Sequence, residues 1–319
     1  MGYVLNDCIR FESMYMHANL CPMKRSSIGL VTFVLLSTLP LALFSQAEKL
    51  LLTLNNRNQA TVYYECYGEG KPIIILHRTS ASYLEPIFGS KANLKRIYID
   101  PPAIGNSSSD SWIANADDCF AIIKCAIDSI VPNGTFAIAG FSYFGYMARA
   151  IAELYPNRID GLLLMCPVTY PTFSQRSLPT STKSFTDSTF YNTLSAKEQD
   201  MLSGLVVKTQ KTYNHMLKYS SADITLDTTI WNRVKRNGYA ITGMNNKTRI
   251  DAPVLLMLGL QDNVVGYSDA LVLLQQYTSV SVAIVDYASH SLPMEQPEIL
   301  SLNVSMWLER MEHFRLNRP

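Results

Sequence analysis

The sequence predicts an α/β fold in which a mostly parallel sheet is flanked by helices and interrupted by a helical cap insertion. Short, continuous apolar segments, such as residues 73–76 and 161–166, are typical of strands that are buried on both faces. They alternate along the chain with segments of helical periodicity, as expected for a parallel sheet covered by helices. The chain has 319 residues, 48% of them hydrophobic, and is therefore long enough for a large buried core.

Strands are predicted where apolar residues alternate or follow one another without interruption. In chain order these segments are residues 50–54, 60–66, 73–76, 96–100, 135–139, 161–166, 253–258 and 280–285. Helices are predicted where apolar residues recur with the helical period. In chain order these are residues 112–131, the segment that follows Ser142 and ends at Pro156, and residues 195–219, 229–237, 268–277 and 297–314.

The alternation of strands and helices lapses over residues 171–248. This segment is rich in Ser and Thr and then helical in pattern, and the strand pattern resumes at residue 253. We therefore expect residues 171–248 to form a helical cap over the sheet. The core is expected to comprise residues 48–170 and 249–319.

Residues 1–47 are predicted to be a leader. An apolar segment at residues 28–44 follows two basic residues and precedes the small residues around Ala47, which are the three parts of a secretory signal peptide. We expect the signal to start at Met23 and to be cleaved after Ala47, giving a secreted or periplasmic protein. An uncleaved membrane anchor is the alternative, and membrane association is expected only in that case.

The composition bears on partners and cofactors. Lys and Arg total 27 against 26 Asp and Glu, and no basic stripe is visible, which argues against nucleic acid as a partner. Four of the six cysteines follow the leader, and no pair has metal-ligand spacing, so buried free thiols are expected. No motif implies a metal or an organic cofactor, and a small-molecule substrate is the expected partner.

The segment AIAGFSYFGYMARAIAELYP, residues 137–156, predicts a strand, a sharp turn at Ser142 and a helix. Such a turn lifts the serine hydroxyl above the sheet edge. The helix that follows offers N–H groups and a positive dipole end to a developing oxyanion. Gly-x-Ser alone is a weak signal, so a nucleophilic role for Ser142 depends on finding a base and a carboxylate elsewhere.

A serine nucleophile needs a base, and the base needs an orienting carboxylate. Asp262 follows the strand predicted at residues 253–258, and His290 follows the strand predicted at 280–285. Among the five histidines, His290 alone is well placed after a late strand. Asp262 is open to a second interpretation as a turn residue. The chain order Ser, Asp, His at successive strand ends nevertheless favours a catalytic set.

These features resemble the α/β-hydrolase superfamily, in particular its cap-bearing branch of proline-iminopeptidase-like hydrolases and esterases. The resemblance extends over most of the chain after the leader, and besides the serine turn it is carried by PIIILH, RIYIDPPAIGNSSS, PVLLMLGLQDNVVGY and ASHSLPMEQPE. It implies Ser142 as nucleophile, His290 as base and Asp262 as orienting acid. It also implies an oxyanion hole formed by the backbone N–H groups of Tyr143 and Thr79.

The sequence departs from the pattern of that superfamily beside the expected site. Arg78 stands where glycine usually follows the histidine, and Phe144 stands where the second glycine of Gly-x-Ser-x-Gly is usual. Phenylalanine at this crowded turn is expected to cost about 1–3 kcal/mol unless its ring turns outward. Arg78 and Phe144 are therefore candidates for the substrate pocket. Ala103 and Ser289 also replace glycines, and both are expected to be tolerated because they are small.

Three functions are compatible with this pattern. The first is a serine hydrolase that cleaves an ester or small amide through an acyl-enzyme. The second is a proline-iminopeptidase-like aminopeptidase, which would need carboxylates to hold the substrate's amine. Candidates for those carboxylates are Asp187, Glu198, Asp200, Asp223 and Asp227. The third is a non-catalytic ligand-binding protein that reuses the same frame.

Overall fold

The computed structural model describes residues 46–55, 57–89, 93–180, 183–221, 224–244 and 247–318. The predicted signal peptide lies outside the described residues except for Gln46 and Ala47, and Asp223 also lies outside them. Within these ranges, no helix is long and apolar enough to cross a membrane.

An eight-stranded sheet forms the centre of the molecule, and a two-stranded sheet lies in the cap. The strands are β1 (Gln46–Thr53), β2 (Gln59–Tyr67), β3 (Lys71–Leu76), β4 (Leu94–Ile99), β5 (Phe136–Phe141), β6 (Ile159–Met165), β7 (Phe185–Thr186), β8 (Val207–Lys208), β9 (Val254–Gly259) and β10 (Val280–Val285). The central sheet has the order β1-β2-β4-β3-β5-β6-β9-β10, and the cap pairs β7 with β8. Each segment that the sequence predicts to be a strand contributes to the central sheet.

The central sheet is mostly parallel. β2 pairs in antiparallel fashion with both β1 and β4, and all other neighbouring pairs are parallel. β3, β5, β6 and β9 are almost entirely buried, which explains their uninterrupted apolar sequences. The carboxyl ends of the parallel strands lie at one edge of the sheet, and residues that follow these strands meet there.

Helices cover the sheet and build the cap. They are α1 (Ala81–Phe88), α2 (Ala116–Ile130), α3 (Tyr143–Leu154), α4 (Ser188–Tyr191), α5 (Ala196–Met201), α6 (Gln210–Ser221), α7 (Thr228–Asn237), α8 (Leu292–Glu295) and α9 (Pro297–Leu316). α2 begins at Ala116 and not at residue 112, because Asn115 and Asp118 form a capping box at its N-terminus.

The helix predicted at residues 195–219 is in fact two helices, α5 and α6, separated by β8. The segment predicted as a helix at residues 268–277 is a 3-10 helix over Ser268–Gln276. Its buried residues Ala270, Leu273 and Gln276 are spaced by three, which is the period of that helix and not of an α-helix.

Candidate active site

Ser142 lies at the turn between β5 and α3, as the sequence predicts. Its φ of 56° and ψ of −122° are unusual for a residue with a side chain, and such backbone strain is common at functional turns. The turn is fixed on both sides, because the Ser142 N–H donates to the Met165 carbonyl and the Ser142 carbonyl accepts from the Val168 N–H. The hydroxyl is therefore presented at the carboxyl edge of the sheet.

Glycines make this turn possible by allowing close backbone contacts. A Cβ on Gly140 would lie 2.2 Å from the Phe144 carbonyl oxygen, and a Cβ on Gly145 would lie 3.1 Å from the Gly140 carbonyl oxygen. Gly145, one residue later than usual, thus lies against β5, and the Phe144 ring turns toward the cap. The strain that the sequence suggested for Phe144 is avoided in this way.

His290 links Ser142 to Asp262 through hydrogen bonds. Its Nε2 lies 2.9 Å from the Ser142 Oγ, and its Nδ1 lies 2.8 Å from the Asp262 Oδ2. The carboxylate of Asp262 is fully buried, and its Oδ1 accepts from the N–H groups of Val264 and Val265 at 2.9 and 3.0 Å. The structure therefore brings the three residues into one hydrogen-bonded path. Asp262 also acts as a turn residue, because its carboxylate accepts hydrogen bonds from backbone N–H groups of the turn that follows β9.

The loop that carries His290 is held by a buried carboxylate that the sequence did not single out. Glu295 Oε2 accepts from the Ser289 N–H at 2.6 Å, and Glu295 Oε1 accepts from the Val206 N–H at 2.6 Å. Because Val206 belongs to the cap, Glu295 joins the cap to the residue that precedes His290. Burial raises the pKa of the Glu295 carboxyl, and the amide donors oppose that rise.

Cys166 lies beneath the hydrogen-bonded path. One ligand atom each of Cys166, Asp262 and His290 lies within 4.8 Å of the others, a grouping that is compact enough for a metal ion. Burial raises the pKa of the Cys166 thiol well above its ordinary value, and the negative charge of Asp262 adds to this. A thiol that stays protonated is a poor metal ligand, and both oxygens of Asp262 already accept hydrogen bonds. We therefore interpret Cys166 and Asp262 as residues that hold the His290 ring in place, and not as metal ligands.

Thr79 and Tyr143, the predicted oxyanion donors, line the same cavity as Ser142. Within the described part of the chain, neither backbone N–H donates to another protein group. Tyr143 begins α3, so its N–H lies at the positive end of the helix dipole, whereas Thr79 lies in the loop that follows β3. Thus two residues with free amide donors line the cavity together with Ser142.

A cavity of about 380 Å³ lies in front of Ser142, and its wall is mainly apolar and aromatic. The stacked rings of Tyr143 and Tyr239 have centroids 3.8 Å apart, and Trp231 contacts Tyr143 and Phe144 edge-on with centroids 5.8 Å apart. Tyr239 and Trp231 belong to the cap, whereas Tyr143 and Phe144 follow the serine. The cap and the serine turn therefore share one aromatic cluster. Within it, Phe144 both lines the cavity and packs against Trp231 of the cap.

The two predicted pocket residues both line this cavity: Phe144 is buried and Arg78 is exposed. The carboxylates considered for an aminopeptidase that lie within the described residues do not line it. Of those within the described residues, Asp187, Glu198 and Asp227 serve the N-termini of α4, α5 and α7, and Asp200 is exposed on α5.

No family model and no curated protein matches the sequence. Solved structures do match it. An alpha/beta superfamily hydrolase from Oenococcus oeni PSU-1 superposes with a TM-score of 0.69 at 24% identity, covering 79% of this chain and 96% of that chain. A thermophilic esterase from Thermogutta terrifontis gives a TM-score of 0.61 at 15% identity, covering 83% of this chain and 99% of the esterase. An esterase from Exiguobacterium antarcticum gives a TM-score of 0.57 at 14% identity, covering 81% of this chain and 98% of that esterase. This chain therefore has the α/β-hydrolase fold.

Proposed function

We propose that this protein is a serine hydrolase that cleaves an ester or a small amide, with Ser142 as nucleophile, His290 as base and Asp262 as orienting acid. The observation that carries the proposal is the continuous hydrogen-bonded path from the Ser142 hydroxyl through the His290 ring to the buried Asp262 carboxylate. Two residues with unoccupied amide donors and an apolar cavity on the open side of Ser142 add to it.

The proposed reaction begins when His290 Nε2 takes the proton of the Ser142 hydroxyl as Oγ attacks the substrate carbonyl carbon. Asp262, which accepts a hydrogen bond from the Nδ1–H, stabilises the resulting imidazolium. The N–H groups of Tyr143 and Thr79 stabilise the oxyanion that forms. His290 then protonates the leaving alcohol or amine, and water, activated by the same imidazole, releases the acid from Ser142.

The charges in the cavity favour this reaction class over an aminopeptidase. A substrate with a free amine needs a carboxylate beside it, whereas the residues that line the described cavity include Arg78 and Lys235 and no Asp or Glu. An ammonium group would therefore meet like charges in a partly desolvated site.

The test is labelling of the purified protein with a fluorophosphonate, which reacts with activated serines. We expect stoichiometric labelling that is lost in Ser142→Ala and in His290→Ala. Ser291→Ala is the matched control and should label normally, because Ser291 also lines the cavity but the hydrogen bond that it donates, within the described residues, is to Ser289 and not to the imidazole. A folded wild-type protein that remains unlabelled would contradict the proposal and support a non-catalytic ligand-binding protein.

We also propose that the protein is secreted or periplasmic after cleavage beside Ala47. Cleavage there would leave six of the eight residues of β1, since this strand begins at Gln46. Sequencing the N-terminus of the exported protein tests this location. A mature protein that retained Met23 would contradict cleavage.

A further inference from the structure

Two positively charged residues, Arg78 and Lys235, line the cavity in front of Ser142. Both side chains are exposed, and no described carboxylate forms an ion pair with either of them. The remaining lining, in the described residues, is apolar, aromatic or uncharged apart from the imidazoles. The cavity thus combines an apolar interior with two uncompensated positive charges.

The positions of these two residues relate them to the reacting centre. Arg78 directly precedes Thr79, the proposed oxyanion donor, and belongs to the core. Lys235 belongs to the cap and follows Trp231 by four residues, so it lies one turn further along the same face of α7. Since Trp231 contacts Phe144 beside Ser142, that face of α7 is the one turned toward the cavity.

The neighbourhood of the cavity adds positive charge. Burial raises the pKa of the Tyr239 phenol, and the guanidinium groups of Arg176 and Arg78 both oppose that rise, so their fields reach the cavity wall. Arg176 donates hydrogen bonds to the backbone carbonyl oxygens of Tyr170, Pro171 and Val264, and burial lowers the pKa of its guanidinium group. The carboxylate of Asp262 does not line the cavity, and it accepts three hydrogen bonds, from the N–H groups of Val264 and Val265 and from the His290 ring.

We propose that the substrate is an ester or small amide with an apolar body and a carboxylate group, which Arg78 and Lys235 bind at the mouth of the cavity. A carboxylate between two cations gains charge-assisted contacts, while its apolar body displaces water from the aromatic wall. The same cations would repel a substrate with an ammonium group. This inference rests on the proposed hydrolase function, and it names the class of substrate.

The test compares two para-nitrophenyl esters that differ only in charge: the monoester of adipic acid, and the same ester whose far carboxylate is replaced by a carboxamide. We expect wild-type kcat/KM to be higher for the anionic ester by about three- to tenfold at low salt, as is typical of partly exposed charge-assisted contacts. The preference should shrink at high salt, because the screening length falls to about 3 Å at 1 M.

Substituting Arg78 and Lys235 one at a time distinguishes a direct contact with the carboxylate from the effect of the overall positive charge of the protein. Arg78→Gln and Lys235→Gln should each lower the ratio of kcat/KM for the anionic ester to kcat/KM for the neutral ester, because only the anionic ester loses a contact with its carboxylate. Arg236→Gln is the matched control, because Arg236 is exposed on the same helix and does not line the cavity. An equal rate for both esters, or a preference that survives both substitutions, would overturn the inference.

A binding measurement keeps this inference distinct from the proposed function. Ser142→Ala should still bind the anionic ester more tightly than the neutral one, and adding both Arg78→Gln and Lys235→Gln in the same background should abolish the difference. If fluorophosphonate labelling fails but this difference in Kd is present, the hydrolase proposal is wrong and the carboxylate site stands. If labelling succeeds but both esters bind equally, the carboxylate site is wrong and the hydrolase proposal stands.

Discussion

At the scale of single residues, the geometry of Ser142 depends on Gly140. The left-handed backbone of Ser142 carries the chain from β5 into α3 within one residue, which places the Phe144 carbonyl directly over Gly140. The position of the serine hydroxyl relative to the His290 ring is therefore set by a contact that excludes any side chain at residue 140.

We expect Gly140→Ala to displace the turn, because the new Cβ would lie 2.2 Å from the Phe144 carbonyl oxygen. The free energy of unfolding should fall by about 1–3 kcal/mol. Ester hydrolysis should fall by about 100-fold, as is typical when a reacting group is misplaced by about 1 Å. Urea unfolding and steady-state kinetics measure the two effects. Gly204→Ala is the control, since no atom lies within 4 Å of its Cβ position. Normal activity of Gly140→Ala would contradict this account.

The residues of the candidate site were predictable to different degrees. Ser142, Asp262 and His290 each follow a strongly apolar strand, so the sequence indicated that they meet at one edge of the sheet. Glu295 gave no such signal, because its partners are backbone N–H groups of Val206 and Ser289, and backbone contacts leave no trace in residue type. The link that Glu295 makes between the cap and the loop of His290 therefore becomes visible only in the three-dimensional structure.

At the scale of elements, the strands were easier to predict than the helices. Strands buried on both faces have uninterrupted apolar sequences, whereas α1 (Ala81–Phe88) was missed. This helix contains Pro86, which is unfavourable in a helix interior, and it is stabilised by burial of Leu84, Ile87 and Phe88. Likewise the break between α5 and α6 depends on tertiary contacts, since Val206 and Val207 donate to Glu295.

Glu295 connects the cap to the loop of His290, and we expect Glu295→Gln to weaken both. The glutamine amide keeps only one acceptor oxygen, so its NH₂ group would face either the Val206 N–H or the Ser289 N–H. Leaving a buried donor without an acceptor costs about 1–3 kcal/mol. We expect faster proteolysis of the cap and a lower kcat, measured by limited proteolysis and ester hydrolysis.

Glu298→Gln provides a comparison for that substitution. Glu298 lies three residues further on, is exposed, and pairs with Lys211 at 2.6 Å across the surface. Exposed ion pairs contribute little to stability, so its substitution should change the free energy of unfolding by less than about 1 kcal/mol and leave hydrolysis unchanged. Similar effects of the two substitutions would show that Glu295 has no special role in the connection.

At the scale of the whole molecule, the stability of the fold should respond to a buried pair, His77 and Asp100. The His77 Nε2 lies 4.0 Å from the Asp100 Oδ1 at the carboxyl ends of β3 and β4. Burial lowers the pKa of His77 from 6.5 to about 4 and raises the pKa of Asp100 from 3.8 to about 6, a rise that Glu65 increases and the Asn106 N–H opposes. The native pair is therefore an uncharged imidazole and a protonated carboxyl near pH 5.

The unfolded pair near pH 5 consists of a protonated imidazole and an ionised carboxyl, so it binds the same number of protons as the native pair. Since the slope of stability against pH follows the difference in bound protons, the two contributions cancel in the wild type. We expect His77→Gln to reveal the Asp100 contribution, with stability that decreases as the pH rises from about 4 to about 6. Asp100→Asn should reveal the opposite slope, with stability that decreases as the pH falls from about 6.5 to about 4.

Urea unfolding of both variants and of the wild type between pH 4 and 7 measures these slopes, each expected to approach about 1.4 kcal/mol per pH unit at most. Differences from the wild type at each pH remove the contribution of all other groups. The double variant should recover the wild-type dependence, because neither group then titrates. Parallel curves for the wild type and both single variants would mean that the pKa values of His77 and Asp100 are the same in the folded and the unfolded chain, and would contradict this account.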